Sequence, residues 1–229
     1  MPPALRCSHR RLLLGRIGRR CPLHGACGLK ILTVQAGAEK VTRAMRALEA
    51  AYLIGVEDVT EIWLVRHGDC YEGMIDGDLD PGLSDLGREQ ATRLAARIKP
   101  LQPAAVYASP FKRAVETARM FSDDVRTDER LLEIPLEFGA DGSFEFTEKP
   151  EDVTRRITAV VDEIVARHPG ERVIVVGHAG AIVNYLCSVM RLEPGQLRIL
   201  PFYTSVSVVR ALDDRRMVGA LCDASHLDH

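Results

Sequence analysis

Two histidines in this 229-residue chain sit in matching surroundings. His67 lies in Arg66-His67-Gly68-Asp69, after an apolar run ending at Val65, and His178 lies in Gly177-His178-Ala179-Gly180, after one ending at Val176. Imidazole changes charge near neutral pH, so it serves as a nucleophile or a proton carrier. Arg66 stands beside the first histidine, and Arg113 falls in the opening turns of a helix begun by Ser109-Pro110. A helix N-terminus already favours anions, and a guanidinium fork grips two oxygens at once. Together these residues suit chemistry on an oxyanion whose charge is spread over several atoms. A lone histidine after a strand is ordinarily a capped or half-buried residue; the pair, with arginine attached, is what points to function. Arg113 could be a plain surface cation, but a cation there opposes the helix dipole and is costly without an anion to hold.

The elements that position these residues alternate in type. Residues 61–66 and 105–108 read as strands, and 172–177 (RVIVVG) as a buried central one. Residues 84–98 read as a helix capped by Ser84, with Ala91, Leu94, Ala95 and Ile98 on one face. Ser109 as N-cap and Pro110 at the first helical position would start another, burying Phe111, Ala114, Val115 and Ala118. A helix from Pro150 to Arg167 ends at His168-Pro169-Gly170, and one carrying Ile182, Leu186 and Val189 follows His178. Two β-rich runs, 204–212 and 216–221, joined by Asp213-Asp214, predict a hairpin at a sheet edge. Such alternation implies an α/β fold, a three-layer α/β/α sandwich on a mostly parallel central sheet, over residues 59–229. In open sheets of this kind ligands bind beyond the carboxyl ends of the strands, where both imidazoles would stand.

Four segments carry a family resemblance in order and spacing: Arg66-His67-Gly68; Gly82-Leu83-Ser84-Asp85-Leu86-Gly87-Arg88-Glu89-Gln90-Ala91; Ser109-Pro110-Phe111-Lys112-Arg113-Ala114-Val115-Glu116-Thr117-Ala118; and Gly177-His178-Ala179-Gly180. Across about 170 residues the chain resembles the histidine phosphatase superfamily, which includes the phosphoglycerate mutases and many small phosphatases. The resemblance implies a phosphoglycerate mutase-like fold and a metal-independent phosphomonoesterase that uses no cofactor. His67 would be the nucleophile, forming a phosphohistidine that water hydrolyses. Arg66, Arg113, His178 and the Ala179 backbone would hold the phosphoryl oxygens, and Glu133 would protonate the leaving group. Glu137, Glu145 and Glu148 lie near enough to compete for that last role. Ser109 resembles a family residue near the pocket, and N-capping explains it equally well.

The departures concern substrate more than chemistry. Asp69-Cys70-Tyr71 follow the first motif where many relatives carry an asparagine, and Gly139-Ala140-Asp141-Gly142 replaces a Gly-x-x-Glu-Gly signature. The stretch between Arg113 and His178 is too short for a large lid, which disfavours a phosphoglycerate mutase. A non-enzymatic phosphate-binding module would be signalled by loss of Arg66, His67 or His178. An open pocket for a phosphorylated small molecule or a phosphoprotein is the expectation. Asp76, Asp78 and Asp80 mimic a calcium loop, but Pro81 stands where that loop needs glycine and Gly87 where it needs an acid; a solvated loop is expected.

Composition bounds the rest. A net charge of -2 argues against a broad nucleic-acid-binding face, and no apolar run approaches the roughly 18 residues of a membrane span. Residues 1–58 read as an extension with a short helix near 39–52, whose Val41, Met45, Leu48 and Tyr52 share one face. Its first 30 residues hold seven basic side chains and no acid, leaving 23 basic against 32 acidic groups elsewhere. That head is open to three readings: a targeting segment, a disordered arm, or residues read from an upstream start. Cys21, His24 and Cys27 lack the tight, repeated spacing of a zinc site. The six cysteines are expected to be mostly reduced, in a cytoplasmic protein.

Overall fold

The computed structural model describes residues 37–72, 78 and 80–228. In chain order they form α1 (Ala38–Ala51), β1 (Thr60–Arg66), α2 (Asp85–Ile98), β2 (Ala105–Ala108), α3 (Lys112–Arg119), β3 (Val125–Thr127), β4 (Leu136–Phe138), β5 (Phe144–Phe146), α4 (Pro150–Arg167), β6 (Arg172–Gly177), α5 (Ala179–Val189), β7 (Val206–Leu212) and β8 (Arg215–Asp223). The main sheet runs β3-β2-β6-β1-β7-β8. Its first four strands are parallel, and the β7–β8 hairpin closes one edge antiparallel, as expected from the two β-rich runs.

Strand alternation sorts the core into two layers. Ile62, Leu64, Tyr107, Val173 and Val175 face one way, onto Val153, Ile157, Val160, Val161 and Ile164 of α4 and Ile182 and Leu186 of α5. Val65, Val106, Ala108, Ile174 and Val176 face the other, onto Leu94, Ala95 and Ile98 of α2 and Ala114 and Ala118 of α3. Because β6 is buried on both faces, it carries no polar residue between Val173 and Val176.

Two expectations need correction, and two further points add to them. Ser109 and Pro110 do not open α3: the helix starts at Lys112, with Phe111 at its N-cap position and no side-chain cap there. The Asp80 carboxylate caps it from a distant loop, accepting from the Lys112 N–H at 3.0 and 3.3 Å. Asp80 is therefore committed to the fold rather than simply solvated; Asp76, like Cys21, His24, Cys27 and the whole basic head, lies outside the described residues. The helix near 39–52 forms, with Val41, Met45, Leu48 and Tyr52 between 38% and 55% exposed. Finally, β3 and the two-stranded sheet of β4 and β5 were not expected. No described helix is long and apolar enough to cross a membrane.

Candidate active site

Parallel pairing brings the carboxyl ends of β1, β6 and β2 side by side. Arg66 pairs with Gly177, and Ala108 with Val176. The chain then continues each strand by one residue: the His67 N–H donates to the Gly177 carbonyl (3.0 Å) and the Ser109 N–H to the Val176 carbonyl (2.9 Å). His67, His178 and Ser109 thus leave three adjacent strands at one level. The two imidazoles meet with ring centroids 5.1 Å apart, His67 3% and His178 0% exposed.

The backbone beyond His67 is held from behind. The Gly68 N–H donates to Thr117 Oγ1 (3.0 Å), and the Asp69 N–H to Gln90 Oε1 (2.9 Å). Asp69 Oδ2 accepts from Ser84 Oγ at 2.6 Å, while Ser84 also caps α2 as expected, accepting from the Gly87 N–H. A side chain on Gly87 would overlap the Asp69 carbonyl oxygen, and one on Gly68 would come within 2.7 Å of the Gly87 carbonyl oxygen. These glycines serve close approach of loop to helix; neither has a positive φ.

His67 Nδ1 lies 2.7 Å from the Gly68 carbonyl oxygen. A carbonyl only accepts, so Nδ1 carries the hydrogen and Nε2 keeps its lone pair. Burial is the largest influence on this imidazole; the Gly68 contact opposes it, and the Arg113 and Arg66 charges reinforce it, leaving the pKa at about 3. His178 is driven well below its ordinary value by burial first, then by His67 and both arginines. Both rings are therefore neutral at pH 7.

That neutrality carries a stability consequence. Below the ordinary value of 6.5 the unfolded chain takes up protons that folded His67 refuses until about pH 3. Stability therefore falls as the pH drops through that window, by as much as about 1.4 kcal/mol per pH unit for one such group. Urea unfolding at pH 7, 6 and 5 should show the loss, and His67→Gln should lessen the slope. An unchanged slope in that variant would mean that His67 ionises normally in the fold.

Each arginine is braced by an aromatic ring that also meets a histidine. The Arg66 guanidinium lies 3.9 Å from the Tyr203 ring centroid, Tyr203 approaches His67 at 5.9 Å, and Arg66 Nη1 donates to the Pro201 carbonyl at 2.7 Å. Arg113, 7% exposed, lies 4.4 Å from the Phe111 ring, which meets His178 edge-on at 5.4 Å. Its Nη1 is 3.6 Å from Asp80 Oδ1, so the anion expected to offset Arg113 at the start of α3 comes partly from the protein itself. Arg66 Nε, Arg113 Nε and His178 Nδ1 are all buried without a protein partner. Unmet buried donors cost about 1–3 kcal/mol each, and an oxyanion among them would offset that cost.

The other nitrogen of the second histidine is occupied, His178 Nε2 lying 2.8 Å from Ser109 Oγ. The resemblance of Ser109 to a pocket residue therefore prevails over its reading as a cap. Glu133 sits at the start of α5, its oxygens accepting from the N–H groups of Ile134 (2.9 Å), Gly180 (3.2 Å) and Ala181 (3.1 Å). It is thus placed one turn from His178, whereas Glu137 and Glu145 face each other across β4–β5 and Glu148 is clasped by Arg156 at 2.8 Å through each oxygen. Arg156 also donates to the carbonyls of Arg130 and Leu132, both at 2.7 Å, fixing the loop that carries Glu133. Sequence reasoning missed Asp80, Arg156 and Tyr203, each of which reaches the site from far along the chain. Gln90 and Thr117 stood inside the quoted motifs, where only their polarity on otherwise inward helix faces could have marked them.

A family model described as "Histidine phosphatase superfamily (branch 1)" matches residues 62–140 and 136–223, spanning every element that delivers these side chains. The chain belongs to that superfamily. Among the histidine phosphatase superfamily relatives is the "Metal-independent phosphoserine phosphatase" of Arabidopsis thaliana, 30% identical over 205 residues, covering 74% of this chain and 84% of the relative. "Phosphoglycerate mutase-like protein 4" of the same plant is 32% identical over 209 residues, covering 75% and 88%. Among solved structures, Bacillus stearothermophilus YhfR superposes with a TM-score of 0.63 at 27% identity, covering 73% of this chain and 98% of that one.

Proposed function

We infer that the chain is a metal-independent phosphatase that hydrolyses phosphomonoesters through a phosphohistidine on His67, with residues 59–229 as the catalytic domain. The observation that carries this reading is the free Nε2 of a neutral His67, 5.1 Å ring to ring from His178 and flanked by Arg66 and Arg113. The Nε2 lone pair attacks phosphorus as the bond to the leaving oxygen breaks. Nδ1–H keeps its bond to the Gly68 carbonyl, which steadies the positive charge appearing on the ring. Arg66, Arg113, His178 Nδ1 and the Ala179 N–H hold the three equatorial oxygens, whose charge is greatest in flight. Glu133 supplies the proton that the leaving alkoxide needs. Because both its oxygens accept from α5 and its own loop, the protonated form must give up one of those positions to its hydrogen. Water then attacks the phosphohistidine, Glu133 takes the proton, and neutral His67 is regenerated with phosphate.

A phosphorylated small molecule is the proposed substrate; the relative named a phosphoserine phosphatase supports that size class. Cytoplasmic residence belongs to the same proposal, since Cys70, Cys187 and Cys222 are free thiols, which persist where the medium is reducing. The direct test is phosphate release from an aryl phosphate in the presence of a chelator, beside interconversion of phosphoglycerates. Release from the aryl ester that the chelator does not slow is expected. No release from any ester, or interconversion faster than release, would overturn the assignment.

A further inference from the structure

Next to the phosphoryl-binding residues lies a cavity of about 530 Å³ that the proposed reaction does not use. Ala179 and Gly180, which follow His178, form part of one wall, and Ile199 and Leu200 another. The second wall is anchored to the site, because the Pro201 carbonyl accepts from Arg66. Ile134, Val183 of α5 and Phe146 of β5 make most of the remaining lining apolar, beside a polar stretch of Thr147, Glu148, Lys149 and Asn184. Two of its lining residues adjoin Glu133: Ile134 follows it in the chain, and the Gly180 N–H donates to its carboxylate.

The β4–β5 hairpin extends this apolar surface. Leu136 pairs with Phe146 and Phe138 with Phe144, so all four share one face, while Glu137 and Glu145 pair on the other. Every one of the four is exposed, Phe138 by 76%, and so is Leu200 at the cavity mouth, also by 76%. Like charges directly opposite weaken a hairpin, and two strands alone are marginal. Its base is held by the Thr147 N–H, which donates to the Pro135 carbonyl, and by Arg156, which bridges from Glu148, just beyond β5, to the carbonyls of Arg130 and Leu132. A wet apolar face held beside a reaction centre gains most from a ligand that covers it.

We propose that this cavity and the hairpin face form a leaving-group subsite for phosphomonoesters whose alcohol is apolar, a medium-length alkyl chain or an aryl group. The proposal rests on the phosphatase reading and narrows its substrate class. The volume lies within the range of small-molecule sites, roughly 300–1,000 Å³, and accommodates a chain of about eight carbons. A carboxylated alcohol such as serine or glycerate would find one cation among the described lining residues, Lys149, whose neighbour Glu148 is committed to Arg156, so such an alcohol is the competitor against which an apolar one must be measured.

Calorimetric titration with n-alkylphosphonates, which bind but do not turn over, tests the subsite separately from catalysis. Affinity should tighten about fourfold per buried methylene, and on the order of 10⁴-fold from methyl to octyl where all seven added methylenes are buried. Phe146→Ser and Val183→Asp should each flatten that slope; Phe146 is exposed enough to change without loss of the fold. Matching alkyl phosphates should show kcat/KM rising in parallel. Affinity flat with chain length, a phosphonate analogue of phosphoserine binding more tightly than octylphosphonate, or a phosphopeptide doing so, would overturn the subsite. If the phosphonates follow the expected slope but no ester is hydrolysed, the subsite stands as a binding site and the phosphatase assignment falls.

Discussion

His67→Ala should lose turnover of an aryl phosphate by a factor on the order of 10⁴ or more, as removal of a covalent nucleophile does. The ring is buried, and its main-chain contacts survive the change: the His67 N–H still reaches the Gly177 carbonyl, and Gly68 and Asp69 stay pinned by Thr117 and Gln90. The loss is therefore chemical rather than structural. His178 cannot substitute, because its Nε2 is taken by Ser109 and its ring is fully buried. Quenching a reaction with labelled substrate in alkali, where phosphohistidine survives, should leave label on the wild type and none on the variant. Turnover within tenfold of the wild type, or label retained in the variant, would sink the assignment of His67.

Legibility in the sequence followed the range of the forces involved. Amphipathic helices and the buried β6 announce themselves within about a dozen residues, so α2, α4, β2 and β6 appeared where periodicity placed them. The pairing of His67 with His178 was also legible, since parallel strands carry their carboxyl ends to one edge. The start of α3 was not. Ser109-Pro110 is a local N-cap signal, yet Asp80 supplies the cap from some thirty residues away and releases Ser109 Oγ for His178. The hairpin of β4 and β5 was missed although apolar residues alternate at 136, 138, 144 and 146 around Asp141-Gly142, a pattern that can define such a turn. Its apolar face points away from the core, where burial arguments have no purchase. The helical period at positions 41, 45, 48 and 52 marked α1, although that helix has no buried residue. Tyr203 gave no signal, because its value lies in stacking on Arg66 across 137 positions.

Arg113→Met should lower kcat/KM by about 10³-fold, the low end of what one arginine contributes to phosphoryl transfer. Methionine can follow the buried stem of Arg113 against Phe111, and Asp80 keeps its bond to the Lys112 N–H, so α3 retains its start. What disappears is the guanidinium. The 3.6 Å separation from Asp80 is too long for a bidentate fork, which leaves its hydrogens largely uncommitted. Arg113→Lys should recover little of the loss, since a single ammonium cannot span two oxygens and does not stack on Phe111 as a plane does. The decisive comparison is inhibition by phosphate and by vanadate, whose five-coordinate form resembles the phosphoryl group in flight. If Arg113 acts on the transition state, vanadate should weaken far more than phosphate; equal weakening would reduce it to a ground-state anchor, and a loss below tenfold would remove it from the phosphoryl cradle altogether.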